Sequence, residues 1–241
     1  MAINGVNAKL KFKTGVQNDN AFIDLEKLKA EYVRQIHAQF IKLSIIHAEK
    51  LRLPLALYVS ANLEDQIVVQ DMLSGGKSLG HFGIEIDQAR TFLAAFTEYM
   101  KKNIFITPVV IPDKNQIIVS TEIRFAIDYA EIAKLDEAEY ISAKSGWNIP
   151  WVKWLLTMGT QKIIHNHRIT FNPDILAVTP SRSGQAVMVR GFKGWSVPEE
   201  FAGTSNDNMI VNALKKMTGS DGAAMAALMG KYYKDIFDSM F

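Results

Sequence analysis

The 241-residue chain contains no cysteine. Structural disulfides, thiolate metal sites and a cysteine nucleophile are thereby excluded. Long apolar runs are also missing. No window approaches the roughly 20 uninterrupted apolar residues of a membrane helix. The opening Met-Ala-Ile-Asn-Gly has neither a charged leader nor an apolar core behind it, so no secretory signal is expected. The chain is expected to stay in a host cytoplasm, or to enter a particle assembled there. Charge of one sign is lacking too. With 27 basic against 25 acidic residues, wholesale coating of nucleic acid is not expected. There is no internal repeat and no low-complexity tract.

What is present is an ordinary globular composition, 48% hydrophobic and 22% charged. It suffices for one large core or two small ones without metal support. Leu25, Leu28, Tyr32, Ile36, Phe40, Leu43 and Ile46 recur at three and four residues. With Leu51 they predict an N-terminal helix of some seven turns, on the order of 40 Å long, with Asp24 as its cap. Pro54 is expected to interrupt it. A second helix is expected over about 55–73, with Leu57, Ala61, Leu63, Val68 and Leu73 partly in phase. A flexible loop at Gly75, Gly76, Gly80 and Gly83 follows. A third helix over 87–102 carries Ala89, Phe92, Leu93 and Phe96 on one side.

The pattern changes near Asn103. Residues 104–111 are β-branched and aromatic, and Ile117, Val119, Thr121, Ile123, Phe125 and Ile127 alternate with polar partners. Around a turn at residues 112–115 they read as a hairpin. Residues 5–13 suggest an edge strand, closed by a turn at Asn18, Asp19 and Asn20. Further strands are expected at 162–171 and 185–190, and a short helix at 149–158 begins with Pro150. The chain ends in helices from about Asn206, broken at Gly219 and Gly222. The expected class is α+β: long N-terminal helices, a central antiparallel sheet with a short inserted helix, and C-terminal helices. A single domain over 1–241 is expected, with a helical part at 1–102, a β platform at 103–204 and helices at 205–241.

The catalytic signals are weak. Gly75-Gly76-Lys77-Ser78 resembles the end of a phosphate-binding loop, but the position of its first glycine is Asp71, whose charge repels phosphate. His165 and His167 would share one strand face, yet a metal site needs a third ligand. Asp136, Glu137 and Glu139 read as a solvated loop rather than an acid–base pair. Residues 162–193 hold Lys162, Arg168, Arg182, Arg190 and Lys193 against Asp174 alone, a solvated basic surface. Trp151, Trp154, Trp195 and Phe201 are expected to lock the core of the β platform. The last helix, 223–240, places Leu228, Tyr232, Ile236 and Met240 on one face. That face is expected to dock on an adjacent subunit or the next ring.

Four segments in order carry a likeness to a known family. They are Asp128-Tyr129-Ala130-Glu131 through Leu135 to Tyr140, then Ile149-Pro150-Trp151 with Trp154-Leu155-Leu156. Ser181-Arg182-Ser183-Gly184 with Ala186-Val187-Met188 comes next, then Trp195, Val197-Pro198, Phe201-Ala202-Gly203-Thr204 and Asp207-Asn208. Over roughly residues 128–212 the chain resembles the neck, head–tail joining or tail-completion proteins of tailed bacteriophages. The resemblance extends with less detail to the N-terminal helices before Leu79-Gly80-His81-Phe82-Gly83; the last helix departs from it. It implies a structural virion protein at the head–tail junction, with no cofactor and no catalytic residue. Its partners would be its own copies in a cyclic ring of roughly six or twelve, the portal or another connector protein, and the tail tube or its terminator. Non-specific contact with packaged DNA is compatible with that place, and no membrane is implied. Two other readings stay open. A small metal-dependent hydrolase would use His165 and His167 as ligands, and a DNA-binding regulator would need a compact basic face.

Overall fold

The computed structural model describes residues 2–3, 8–11, 25–113, 116–141, 148–179, 181–218 and 222–240. Within them the fold is α+β, with a long N-terminal helix, small antiparallel sheets and C-terminal helices. The chain divides into two compact units: Met1–Leu55 with Lys101–Ala126 and Asp221–Phe241, and Ala56–Met100 with Ile127–Ser220. The 103–204 segment is thus shared between them.

Helix α1 (Leu25–Glu64) runs 40 residues, about 60 Å at 1.5 Å per residue. Its buried positions include Ile36, Phe40, Ser44, His47, Leu51, Leu55, Val59 and Leu63, at steps of three and four, with Ala48, Ala56, Ser60 and Asn62 beside them. Ile36, Phe40 and Leu51 are buried as expected, and the rest of the expected stripe is corrected. Leu28, Tyr32 and Ile46 are exposed, as are Ile45, Leu53 and Leu57. The expected cap at Asp24 and the turn at residues 18–20 lie outside the described residues. Pro54 does not end the helix. A proline there removes one hydrogen bond and crowds the preceding turn, at a cost of about 3 kcal/mol. Leu51, Leu55, Ala56 and Val59 on either side are all buried, and each large apolar side chain gains about 1.5–3 kcal/mol, so packing carries the helix through.

In the first unit, β3 (Ile104–Asp113) and β4 (Gln116–Phe125) form the expected hairpin, pairing Ile104 with Phe125 and Asp113 with Gln116. Pro108 and Pro112 are tolerated because β3 is an edge strand. The other edge of β4 receives two short strands, β1 (Ala2–Ile3) and β2 (Ala8–Lys11). Val119, Thr121, Ile123 and Phe125 are buried, whereas Glu122 and Arg124 between them are exposed. Helix α9 (Gly222–Asp238) completes the unit. The Tyr233 hydroxyl bonds Thr121 Oγ1 at 2.8 Å. The Tyr232 hydroxyl donates to the Ser44 carbonyl at 3.1 Å, and Phe237 lies 5.9 Å from Phe40.

The second unit begins with the end of α1. The expected helix over 55–73 is instead split: residues 55–64 belong to α1, and α2 is Ile67–Leu73. The glycine-rich segment is not all loop, for it contains α3 (Lys77–Phe82). Gly80 lies inside that helix, and only glycine fits there, because a Cβ would meet Phe171 at 2.6 Å and Ala186 at 2.9 Å. Gly83, at φ +61°, ends it in the left-handed conformation that favours glycine. Helix α4 (Ile86–Asn103) buries Ala89, Phe92, Leu93 and Phe96 as expected. After α5 (Tyr129–Ile132) come the two-residue strands β5 (Tyr140–Ile141) and β6 (Asn148–Ile149) and the inserted helix α6 (Trp151–Thr157).

The single strand expected at 162–171 is two, β7 (Lys162–Ile164) and β8 (His167–Thr170), divided at Asn166 with φ 59°. The loop beyond holds α7 (Pro173–Val178), capped by Asn172. Strand β9 (Val187–Arg190) pairs with β8, and β10 (Trp195–Ser196) with β7. Helix α8 (Met209–Thr218) closes the unit.

Candidate functional site

The Gly75-Gly76-Lys77-Ser78 segment is filled by its own chain. The Asp71 carboxylate accepts from the Ser78 backbone N–H at 2.7 Å, the place where a phosphate oxygen would sit in a phosphate-binding loop. Gly76 is required because a Cβ would overlap the Asp71 carboxylate. Gln185 donates its side-chain N–H to the Gly75 carbonyl and ties the turn to the segment before β9. Asp71 is thus an internal anion for this turn, a stronger role than the repulsion expected from sequence.

His165 and His167 do not share a strand face. His165 lies in the turn after β7, and His167 Nδ1 is 3.2 Å from the His165 carbonyl. Among the described residues no group of three His, Asp or Glu could hold a metal ion. Asp136 and Glu137 lie in a short 3₁₀ turn. The Glu137 carbonyl accepts from Trp151 Nε1 at 3.1 Å, the Glu139 carbonyl from Gln88 at 3.0 Å, and the Glu139 carboxylate from Asn148. This acidic stretch clasps α6 and α4 through its backbone.

The expected platform residues belong to the second unit. Trp151 is fully buried, with its ring 5.2 Å from Phe92. Trp195 is buried between Phe82 at 5.9 Å and Trp154 at 5.4 Å. Trp154 and Phe201 are half-buried. Sequence reasoning missed the group at the centre of these rings, His81. Its imidazole lies 4.9 Å from Phe171 and 6.5 Å from Phe201, and Trp195 Nε1 points to its Nδ1 at 3.5 Å. Burial holds His81 below its ordinary pKa, against the opposing pull of Glu200 and Asp71. The available signal was its place among Leu79, Gly80 and Phe82, which are all buried.

The four sequence segments between Asp128 and Asn208 hold structural posts. Asp128 caps α5, accepting from the Ala130 N–H at 2.8 Å. Ser181 Oγ donates to the Ala186 carbonyl at 2.6 Å. The Arg182 guanidinium lies over Tyr140, 3.9 Å from the ring centre. Gly203 has no room for a Cβ against the Leu155 carbonyl. Asn208 is buried; its amide donates to the Leu156 and Thr204 carbonyls, and its oxygen accepts from Ile210 and Val211.

Of the four side chains assigned to a subunit interface, Tyr232 and Ile236 are buried in the first unit, while Leu228 and Met240 stay half-buried. That expectation is corrected for Tyr232 and Ile236, because α9 covers Ser44 and Thr121 of its own chain. Burial raises the pKa of the neighbouring hydroxyls of Tyr232 and Tyr233. An open groove in the second unit is lined by Glu64, Leu73, Arg90, Leu93, Ala94 and Thr97. Its cation, Arg90, pairs with Asp87 at 3.1 Å. Among the described residues, no helix is long and apolar enough to cross a membrane. No family model matches the chain, and no curated protein or solved structure matches it.

Proposed function

We propose that this chain is a structural subunit of the head–tail connector of a tailed bacteriophage, a ring-forming adaptor or tail-completion component between portal and tail. The observation that carries the reading is the outer side of α1. Ile45, Ile46 and Leu53 are 58%, 50% and 41% exposed, although the helix already buries a full stripe opposite them. A helix with apolar residues on both sides calls for a second surface to pack on. In a cyclic assembly that surface is the next copy, and one heterologous contact repeated around an axis closes the ring. The resemblance over residues 128–212 supports a place at the head–tail junction. The structural posts held by those motif residues suit a scaffold, whose work is to keep its shape under load.

Substituting Ile45→Ser together with Ile46→Ser tests this. Both side chains are exposed, so the melting temperature should stay within a few degrees while the sedimentation coefficient falls to that of a smaller species. An unchanged sedimentation profile would remove α1 as the assembly surface.

A further inference from the structure

Two turns meet at one end of the small strands of the second unit. Residues 165–166 join β7 to β8, and residues 191–194 join β9 to β10. The Gly191 N–H donates to the Asn166 carbonyl at 2.8 Å, which locks one turn on the other. Gly194, at φ +69°, passes so close to the first turn that a Cβ would meet the Ile164 carbonyl at 2.8 Å. Phe192 stands at the summit, fully exposed. An aromatic ring held wholly in water on a glycine-bounded turn does nothing for the core.

The surroundings of that ring are cationic. Lys193 follows it, and Arg190 closes β9 opposite His167. The Arg168 stem lies where a Cβ on Gly191 would meet it at 3.3 Å, and the Lys162 stem where a Cβ on Gly194 would meet it at 2.7 Å. All four cations are exposed, and among the described residues no carboxylate pairs with them. Residues 161–173 and 175–198 contain no acid. Asp174 follows the far end of β8, and Glu199 and Glu200 follow the far end of β10. Arg182, counted in the basic stretch by sequence, is elsewhere, over Tyr140.

We propose that this double turn binds a nucleic-acid strand, with Lys162, Arg168, Arg190 and Lys193 on its phosphates and Phe192 stacked on a base. Cations around a protruding ring match a strand that alternates phosphates with flat bases. An anionic membrane fits less well, since one ring offers little apolar area for insertion. The inference is independent of ring assembly, because a single copy presents the whole tip.

Fluorescence anisotropy with a labelled oligothymidylate of about twenty nucleotides is the direct test. Affinity should fall with salt along a log–log slope of about −3, from four phosphate contacts at roughly 0.7 each. Arg190→Ala with Lys193→Ala should flatten that slope by about 1.4. Phe192→Ala should weaken binding about tenfold and leave the slope unchanged, while Phe192→Trp restores it. Each variant should melt as the parent does, since every substituted side chain is exposed. No binding at about 50 mM salt, or binding indifferent to both substitutions, would overturn the proposal. So would capture by phosphatidylserine vesicles under conditions where the oligonucleotide stays free.

Discussion

His81 sits where protonation works against the fold. Its imidazole is packed among Phe171, Phe201 and Trp195, and burial holds its pKa below the ordinary value of 6.5. The unfolded chain therefore binds the proton more readily than the folded one. The stabilisation from neutral His81 is complete above about 6.5 and is lost as pH falls from there through the lower folded-state value. Thermal melts across this window should show the loss in the parent, and His81→Gln should flatten it; an equal slope in both would assign the dependence to other groups. Trp151, fully buried against Phe92, should cost about 3–5 kcal/mol on replacement by Ala, read from denaturant unfolding. Gly80→Ala should cost about 1–3 kcal/mol by forcing a methyl into Phe171 and Ala186. At this scale the sequence was partly legible. The tryptophans announced themselves by size, and Asp71 by its misfit in a phosphate-binding pattern. The His81 cage could not be read, because its walls come from β10 and from Phe171 and Phe201, some 90 to 120 residues away in sequence.

Elements with a strong local period were read correctly. Helix α4 presents Phe92 and Phe96 one turn apart, and β4 alternates from Val119 to Phe125, so neighbours alone decide which side is buried. The stripe of α1 holds at Ile36, Phe40 and Leu51 and fails at Leu28, Tyr32 and Ile46, because its inner side includes Ser44 and His47. The Ser44 carbonyl meets Tyr232 of α9 and His47 Nε2 meets Ser239 just beyond it, and a distant partner reverses what apolar spacing implies. The same helix absorbs Pro54, which local rules treat as a stop. Pro54→Ala should restore the missing N–H donor to the preceding turn and stabilise the protein by about 1–3 kcal/mol, measured as a rise in unfolding midpoint. Helix α9 likewise belongs to the first unit. Tyr233→Phe should cost about 1 kcal/mol through the lost bond to buried Thr121. Removal of residues 220–241 should expose the β4 face and yield an unfolded or insoluble chain; a soluble truncation with a native melt would return α9 to the role of a subunit arm.

For the whole molecule, the class was legible because helical and strand patterns occupy separate stretches. The division into two units was not, since each collects segments far apart in the chain. What an assembly would use was also hidden. Exposed Ile45 and Ile46 look like core until the register of α1 is known, and Phe192 carries no signal until both turns are seen together. The connector proposal turns on whether copies of this chain close upon themselves. Native mass spectrometry of the purified full-length protein tests that most directly. The account predicts one dominant closed species of roughly six or twelve chains, lost in the Ile45→Ser, Ile46→Ser double variant. A folded monomer at every concentration would contradict it.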